Sequence, residues 1–168
     1  MTKEAFKGEH YLKVDAKGRV MLPSPFRDVF TDHDQPAEGA GFRILLVYGG
    51  ENREFVEGYT QAGAHALTQR IKQLPMGSQK YNLANAIFAE QSVDAYTDKD
   101  GRFSPPEQVR KKLGLPKDEV MVVFVGSTDK FRLWRADVYD AKHKPELKAQ
   151  EESVLAGADP LLLFEETA

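Results

Sequence analysis

The sequence predicts an α+β fold made from two copies of one small unit, and three observations carry that expectation. Val14-Asp15-Ala16-Lys17-Gly18-Arg19-Val20 returns as Thr97-Asp98-Lys99-Asp100-Gly101-Arg102-Phe103, with Asp, Gly and Arg at a common offset. Past the motif, Pro23 matches Pro106, Phe26 matches Val109, Arg27 matches Arg110 and Phe30 matches Leu113. Each copy then continues into an apolar run ended by glycine, Phe42 to Gly49 and Val120 to Gly126. A duplicated turn-plus-arginine signature implies a pseudo-symmetric body that presents one surface twice. That geometry suits a repetitive partner better than a one-pocket catalyst.

The elements follow in order. Glu9 to Val14, with Tyr11 and Val14 as strand formers, reads as a strand. Asp15 to Gly18 is a turn in which Gly18 supplies positive φ at no steric cost. Arg19 to Leu22 returns as a second strand, so Asp15 and Arg19 are expected to face each other across a hairpin. Pro23 stops it, and Ser24-Pro25 opens a helix with serine as the cap and proline in the first turn. Phe26, Val29 and Phe30 form one apolar stripe on that helix, and Arg27 lies off it. Asp32 to Gly41 reads as a loop, and Phe42 to Tyr48 as a buried strand too short for a helix. After the turn at Gly49-Gly50-Glu51-Asn52 come a short strand around Phe55 and a helix from Tyr59 to Leu74. Pro75 to Ser78 breaks the chain before a further helical piece near Tyr81 to Glu90.

The second copy repeats the pattern. Ser92 to Tyr96 is a strand, Thr97 to Gly101 a turn, and Arg102 begins the return. Ser104-Pro105-Pro106-Glu107 fits a capping box for a helix carrying Val109 and Leu113 and ended by Gly114. Leu115 to Asp118 turns into Val120–Val125, a strand buried on both faces if it pairs centrally. Phe131 to Trp134 is the next strand, and Ala136 to about Gln150 a charged helix.

The 168 residues are 41% apolar, enough for a core. A half of about 80 residues would be marginal by itself, so the two copies are expected to share one core. Zero cysteines exclude disulfides and thiolate metal sites and fit a reducing cytoplasm. No run approaches a membrane span, and the N-terminus, with Lys3, Glu4 and Lys7, has no apolar segment typical of a secretion signal. The net charge of −3 conceals segregation. From Glu146 onward six acidic residues stand against Lys148, a net −5, which leaves +2 for the rest of the chain. Lys7, Lys13, Lys17, Arg19 and Arg27 concentrate positive charge between Phe6 and Arg27. The tail reads as a solvated, partly disordered end, or as a docking element through Leu161-Leu162-Leu163-Phe164.

Arg19 and Arg102 are the candidate nucleic-acid contacts, because a planar guanidinium engages phosphate or guanine with two donors at once. Lys17 and Lys99 near the loop tips, together with Lys13 and Arg27, complete the candidate DNA-binding set. Asp15, Gly18, Asp98 and Gly101 would shape and orient the loops. The competing reading makes Asp15–Arg19 and Asp98–Arg102 cross-strand pairs that only hold their hairpins, at roughly 0.2–1 kcal/mol each. Loop two carries Asp100 at its tip and Ser-Pro in its return strand, so the first copy is expected to dominate anion binding. Enzymatic signals are thin: His33-Asp34 reads as a solvated turn, and Gly49-Gly50 lacks the Lys-Ser/Thr of a phosphate loop. No enzyme activity, metal or cofactor is expected. Trp134 fits a core or interface position better than base stacking.

With both motifs placed, the chain resembles the MraZ family of regulators of the bacterial division and cell-wall gene cluster. Gly8-Glu9-His10-Tyr11, Val14 to Arg19, Leu22-Pro23-Ser24, Phe26-Arg27-Asp28 and the second Asp98-to-Arg102 motif with Pro106 and Arg110 carry the resemblance. It implies two AbrB-like swapped-hairpin β units in one chain, forming a pseudo-dimeric β-barrel with peripheral helices. The implied organisation is a first repeat over 6–75, a helical connector over 76–91, a second repeat over 92–145 and an acidic tail over 146–168. It further implies a ring-shaped homo-oligomer that binds double-stranded DNA at short direct promoter repeats, in the cytoplasm at the nucleoid, with Arg19 and Lys17 facing DNA. The runner-up is a protein-binding module of the same hairpin class, antitoxin-like, whose tail wraps a partner.

Overall fold

A computed structural model describes residues 4–165; Lys3 and Glu166, which entered the charge reading, lie outside them. The chain divides into two compact units, one reaching to Ala136 and the other starting at Asp137.

Among the described residues the first unit holds eight strands in two sheets. They are β1 Glu9–Val14, β2 Val20–Met21, β3 Arg43–Val47, β4 Val56–Tyr59, β5 Ser92–Tyr96, β6 Arg102–Phe103, β7 Val120–Ser127 and β8 Lys130–Arg135. Six form one sheet in the order β1-β7-β8-β4-β3-β5, and β2 and β6 form a separate ribbon. The α+β class is as expected.

The pairing differs from a string of local hairpins. β1 of the first copy pairs with β7 of the second, and β5 of the second pairs with β3 of the first. β4 pairs with β8 and β2 with β6, so each copy's strands are completed by the other's. Read from either end under the repeat correspondence, the strand order is the same, which places a pseudo-two-fold between β4 and β8. The shared core is therefore a consequence of topology, as the marginal size of one half required.

Two expectations are corrected. The predicted hairpin of Glu9–Val14 with Arg19–Leu22 does not form: the chain turns tightly at Asp15, but the strands on either side join different sheets. Nor is a closed barrel found among the described residues, since β1 and β5 are the two ends of the six-stranded sheet. The cause is local. β2 and β6 are two residues each, halted by Pro23 and by Ser104-Pro105, and proline donates nothing to a ladder. They pair only with each other and cannot bridge the sheet's ends.

Helix α1, Ser24–Asp34, buries Phe26, Val29 and Phe30 as its spacing predicts. Phe26 and Phe30 pack with Phe6 and Phe131, with Phe124 against Phe26 and Phe131, at ring-centroid distances of 5.0–6.5 Å. Its start is one residue earlier than expected: Ser24 is the first helical residue and the carbonyl of Pro23 accepts the amides of Phe26 and Arg27. Helix α2, Gln61–Lys72, is capped by Thr60, and α3, Gln79–Asn85, by Ser78; α3 widens into a π-type turn over Ala86–Glu90. Helix α4, Glu107–Leu113, begins after Pro106 with no side-chain cap, so the capping box expected from Ser104 does not form. Pro106 biases the residue before it away from helical angles, which delays the start past Ser104. β7 is central, and Val122, Val123 and Phe124 are wholly buried.

The second unit is helical. A short α5, Ala136–Val138, begins on the last residue of the first unit and passes through a π-type turn at Tyr139–His143 into α6, Lys144–Leu155. A 3-10 turn over Pro160–Phe164 follows, with Asp159 accepting the amide of Leu161 at 2.9 Å. The described residues of the tail, 146–165, thus form helix and turns where a partly disordered end was one expectation. Among the described residues no helix is long and apolar enough to cross a membrane.

Candidate nucleic-acid interface

The two loops are superposable in their hydrogen bonding. In loop one, Asp15 Oδ1 accepts the amides of Lys17 and Arg19, each at 2.9 Å. The Asp15 amide donates to the Arg19 carbonyl, and the Gly18 amide to the Asp15 carbonyl. In loop two, Asp98 Oδ1 accepts the amides of Asp100 at 2.9 Å and Arg102 at 3.0 Å, and the same two backbone bonds recur. Gly18 and Gly101 have φ of 78° and 92°, the left-handed region that a side chain resists. In both loops the arginine amide is the largest influence holding the carboxyl below its ordinary value, against desolvation. The carboxylates organise backbone.

That assignment bears on the arginines. Arg19 Nε lies 3.4 Å from Asp15 Oδ2 without making a hydrogen bond, and its side chain is 39% exposed. Arg102 is exposed and makes no ion pair among the described residues, yet loop two closes on the same backbone bonds. Loop one carries an Asp15–Arg19 ion pair and loop two closes on the same backbone bonds without one, so the pair is not required for the turn.

The surroundings of the loops differ. β2 and β6 run antiparallel, so the loops leave opposite ends of the ribbon. Loop one meets the second copy at a cleft of about 270 Å³ lined by Ala16, Lys17, Gly18, Ser104, Pro105, Arg110 and Lys117. Arg110 Nη2 donates to the Pro116 carbonyl at 2.9 Å, and a methyl group on Gly18 would come within 3.2 Å of its Nη1. Lys17 and Lys117 are exposed. On loop two, Arg27 from the first copy crosses Gly101 and donates to the carbonyl of Asp100 and, at 3.4 Å, to Met21 Sδ. A methyl group on Gly101 would fall 2.5 Å from Arg27 Cδ. Each arginine of the matched pair thus lies over the other copy's loop.

Of the sequence candidates, Lys17 and Arg19 share loop one, and Lys99 and Arg102 share loop two. Lys13 is 57% exposed and pairs with Glu119 at 2.8 Å, which offsets its charge. Arg27 is half-buried and serves as a clamp on loop two. Sequence reasoning matched Arg110 to Arg27 but did not place it at loop one, and it passed over Lys117. The signal for Arg110 was present, because strand exchange sends each copy's helix to the other copy's turn. Trp134 is buried, 4.9 Å from the ring of Phe55. Among the described residues, no group of three or more His, Asp or Glu could hold a metal ion.

No family model matches the chain. Curated relatives do. A transcriptional regulator MraZ of Cereibacter sphaeroides (strain KD131) is 41% identical over 98% of both chains. That of Ruegeria pomeroyi is 35% identical over 88% of this chain and 85% of its own, and that of Ruegeria sp. (strain TM1040) 32% over 93% and 92%. The duplicated turn, the exchanged strands and this near-full-length similarity agree: the chain belongs to the MraZ family of transcriptional regulators.

Proposed function

We propose that the protein is a sequence-specific repressor that binds double-stranded DNA upstream of the division and cell-wall gene cluster. It acts as a ring-shaped homo-oligomer on short direct repeats, at the nucleoid in the cytoplasm. The observation that carries the reading is loop one: its backbone closes through Asp15, and Arg19, paired with Asp15 at 3.4 Å yet 39% exposed, stands on the same loop as Lys17 beside the cleft lined by Arg110 and Lys117. Arginine supplies base discrimination of about 1–3 kcal/mol when it forks onto guanine, and the lysines supply phosphate contacts. Lys99 and Arg102 make a weaker second contact, with Lys13 and Arg27 at the margins.

The reciprocal pairing of β1 with β7 and β5 with β3 supports the AbrB-like swapped-hairpin reading, with repeats over 6–75 and 92–145, a connector over 76–91 and a tail over 146–168. A ring sets several weakly basic loops along one rim, so a chain of net −3 reaches useful avidity through multiplicity. The test is a gel-shift titration on the DNA upstream of the chain's own gene across a salt series. A shift that resists unrelated competitor DNA and weakens steeply with salt is expected. No shift, or equal affinity for unrelated DNA, would contradict the reading.

A further inference from the structure

A cleft of the first unit lies away from both loops. It occupies about 660 Å³ between β4 and β8 on one side and α2 and α3 on the other. That size falls in the range of true ligand sites. Its floor is a buried carboxylate. Glu57, 1% exposed, accepts from Tyr59 Oη at 3.0 Å and pairs with Arg53 Nη2 at 3.1 Å and Arg132 Nε at 3.4 Å. Burial, then the neighbouring Glu57 charge, push the Tyr59 phenol well up, so it stays a donor. One carboxylate thus holds two guanidiniums, while Arg70 and Lys130 add two more cations at the wall. Lys130 has a carboxylate at 3.0 Å in Asp129; Arg70 is exposed without an ion pair among the described residues. Arg53 Nη1 is buried and makes no hydrogen bond among the described residues. Leu67, Ile71 and Phe88 supply an apolar wall. The cleft is shaped for something apolar that carries negative charge.

The chain itself carries such a segment. Pro160–Phe164 exposes Leu161 at 70%, Leu163 at 58% and Phe164 at 85%, a cluster of a kind that marks interaction sites. Asp159 precedes it, and Glu165 and Glu166 follow. The 3-10 turn capped by Asp159 presents these side chains on a preformed hook. We propose that the cleft between β4–β8 and α2–α3 receives the Leu161–Phe164 hook of a second copy of the chain. Leucine and phenylalanine side chains lie against Leu67, Ile71 and Phe88, and the flanking carboxylates meet Arg53, Arg70 and Lys130. The contact is head-to-tail: cleft and hook are different surfaces, so each chain can give one and receive one. This proposal rests on the homo-oligomer proposed above and concerns how its copies join; DNA contact by loop one is a separate claim.

The test uses the full chain with Phe164 replaced by the photo-reactive p-benzoylphenylalanine, mixed with an isotope-labelled wild-type chain. After illumination, mass spectrometry should find crosslinks from the hook to peptides containing Leu67–Leu74 or Ala84–Phe88 of the labelled copy. The double variant Arg70→Glu/Lys130→Glu, folded by its melting curve, should cut the yield about tenfold, and Glu165→Lys/Glu166→Lys in the hook should restore it. Crosslinks confined to one chain, crosslinks to other surfaces, or none would overturn the proposal. So would a yield unmoved by charge reversal. Gel shifts on the same samples report the DNA reading separately, so either claim can fail without the other.

Discussion

Loop one and loop two share a backbone and differ in what surrounds it. Each has an aspartate accepting two amides, a glycine in the left-handed region and an arginine at the exit. Loop one adds Lys17 at its tip and borrows Arg110 and Lys117 from the second copy. Loop two has Lys99 with Asp98 and Asp100, and its borrowed arginine, Arg27, donates to the Asp100 carbonyl as a clamp. One frame therefore carries two electrostatic environments. Duplication supplies the same turn twice, and substitution at a few tip positions changes its charge.

The comparison can be broken at the glycines first. Gly101→Ala places a methyl group 2.5 Å from Arg27 Cδ at φ 92°, whereas at Gly18 the nearest atom is the end of Arg110 at 3.2 Å. Left-handed strain alone costs about 1–2 kcal/mol. Thermal melts should show Gly101→Ala losing roughly 2–3 kcal/mol and Gly18→Ala nearer 1–2 kcal/mol. Equal losses would mean the clamp moves aside freely. Next comes the clamp itself: Arg27→Ala should destabilise by about 1.5 kcal/mol, in the range for a hydrogen bond from a charged donor. It should leave DNA affinity nearly unchanged at a temperature where the variant is folded. A large affinity loss in a stable variant would make Arg27 a principal contact rather than a marginal one.

The aspartates sharpen what the loops share. Both carboxyls have folded-state pKa values below the ordinary 3.8, so their stabilisation is present above that value and is lost as pH falls through the folded pKa. The amide resonances of Arg19 and Arg102 should both titrate below pH 3.8. A midpoint above 3.8 at either would remove the shared frame. Smallest is the tip charge. Asp100→Lys should steepen the salt dependence of DNA binding by about one unit of log–log slope if loop two lies near phosphate. An unaltered slope would place loop two away from the duplex.

Much of the fold was legible because its signals are local. The Phe26, Val29 and Phe30 stripe, the Val/Phe run at Val122–Phe124 and the glycine turns each report their own element. Partnership was not legible. Asp15 and Arg19 look like the ends of a hairpin because they are close in sequence, yet β1 finds its ladder in β7 and β2 in β6. Strand exchange is a long-range property that two similar copies satisfy with the same local pattern. The same blindness hid Arg110 at loop one. Lys17 and Arg19 could be named because motif and charge coincide there. The cleft at Glu57 gave no comparable sign: nothing in Val56-Glu57-Gly58-Tyr59 marks the acid as buried, and only β8 reveals that Arg132 lies opposite it. Ser104 misled for a different reason, since a cap motif containing two prolines begins its helix late.

The central claim is that the guanidinium of loop one recognises DNA while loop two chiefly supports it. The most direct measurement is parallel gel-shift titration of Arg19→Ala and Arg102→Ala on the chain's own upstream DNA, with melting curves confirming both folds. Arg19→Ala is expected to lose about 10- to 100-fold in affinity and Arg102→Ala no more than about threefold. Equal losses, or wild-type affinity in Arg19→Ala, would contradict the account.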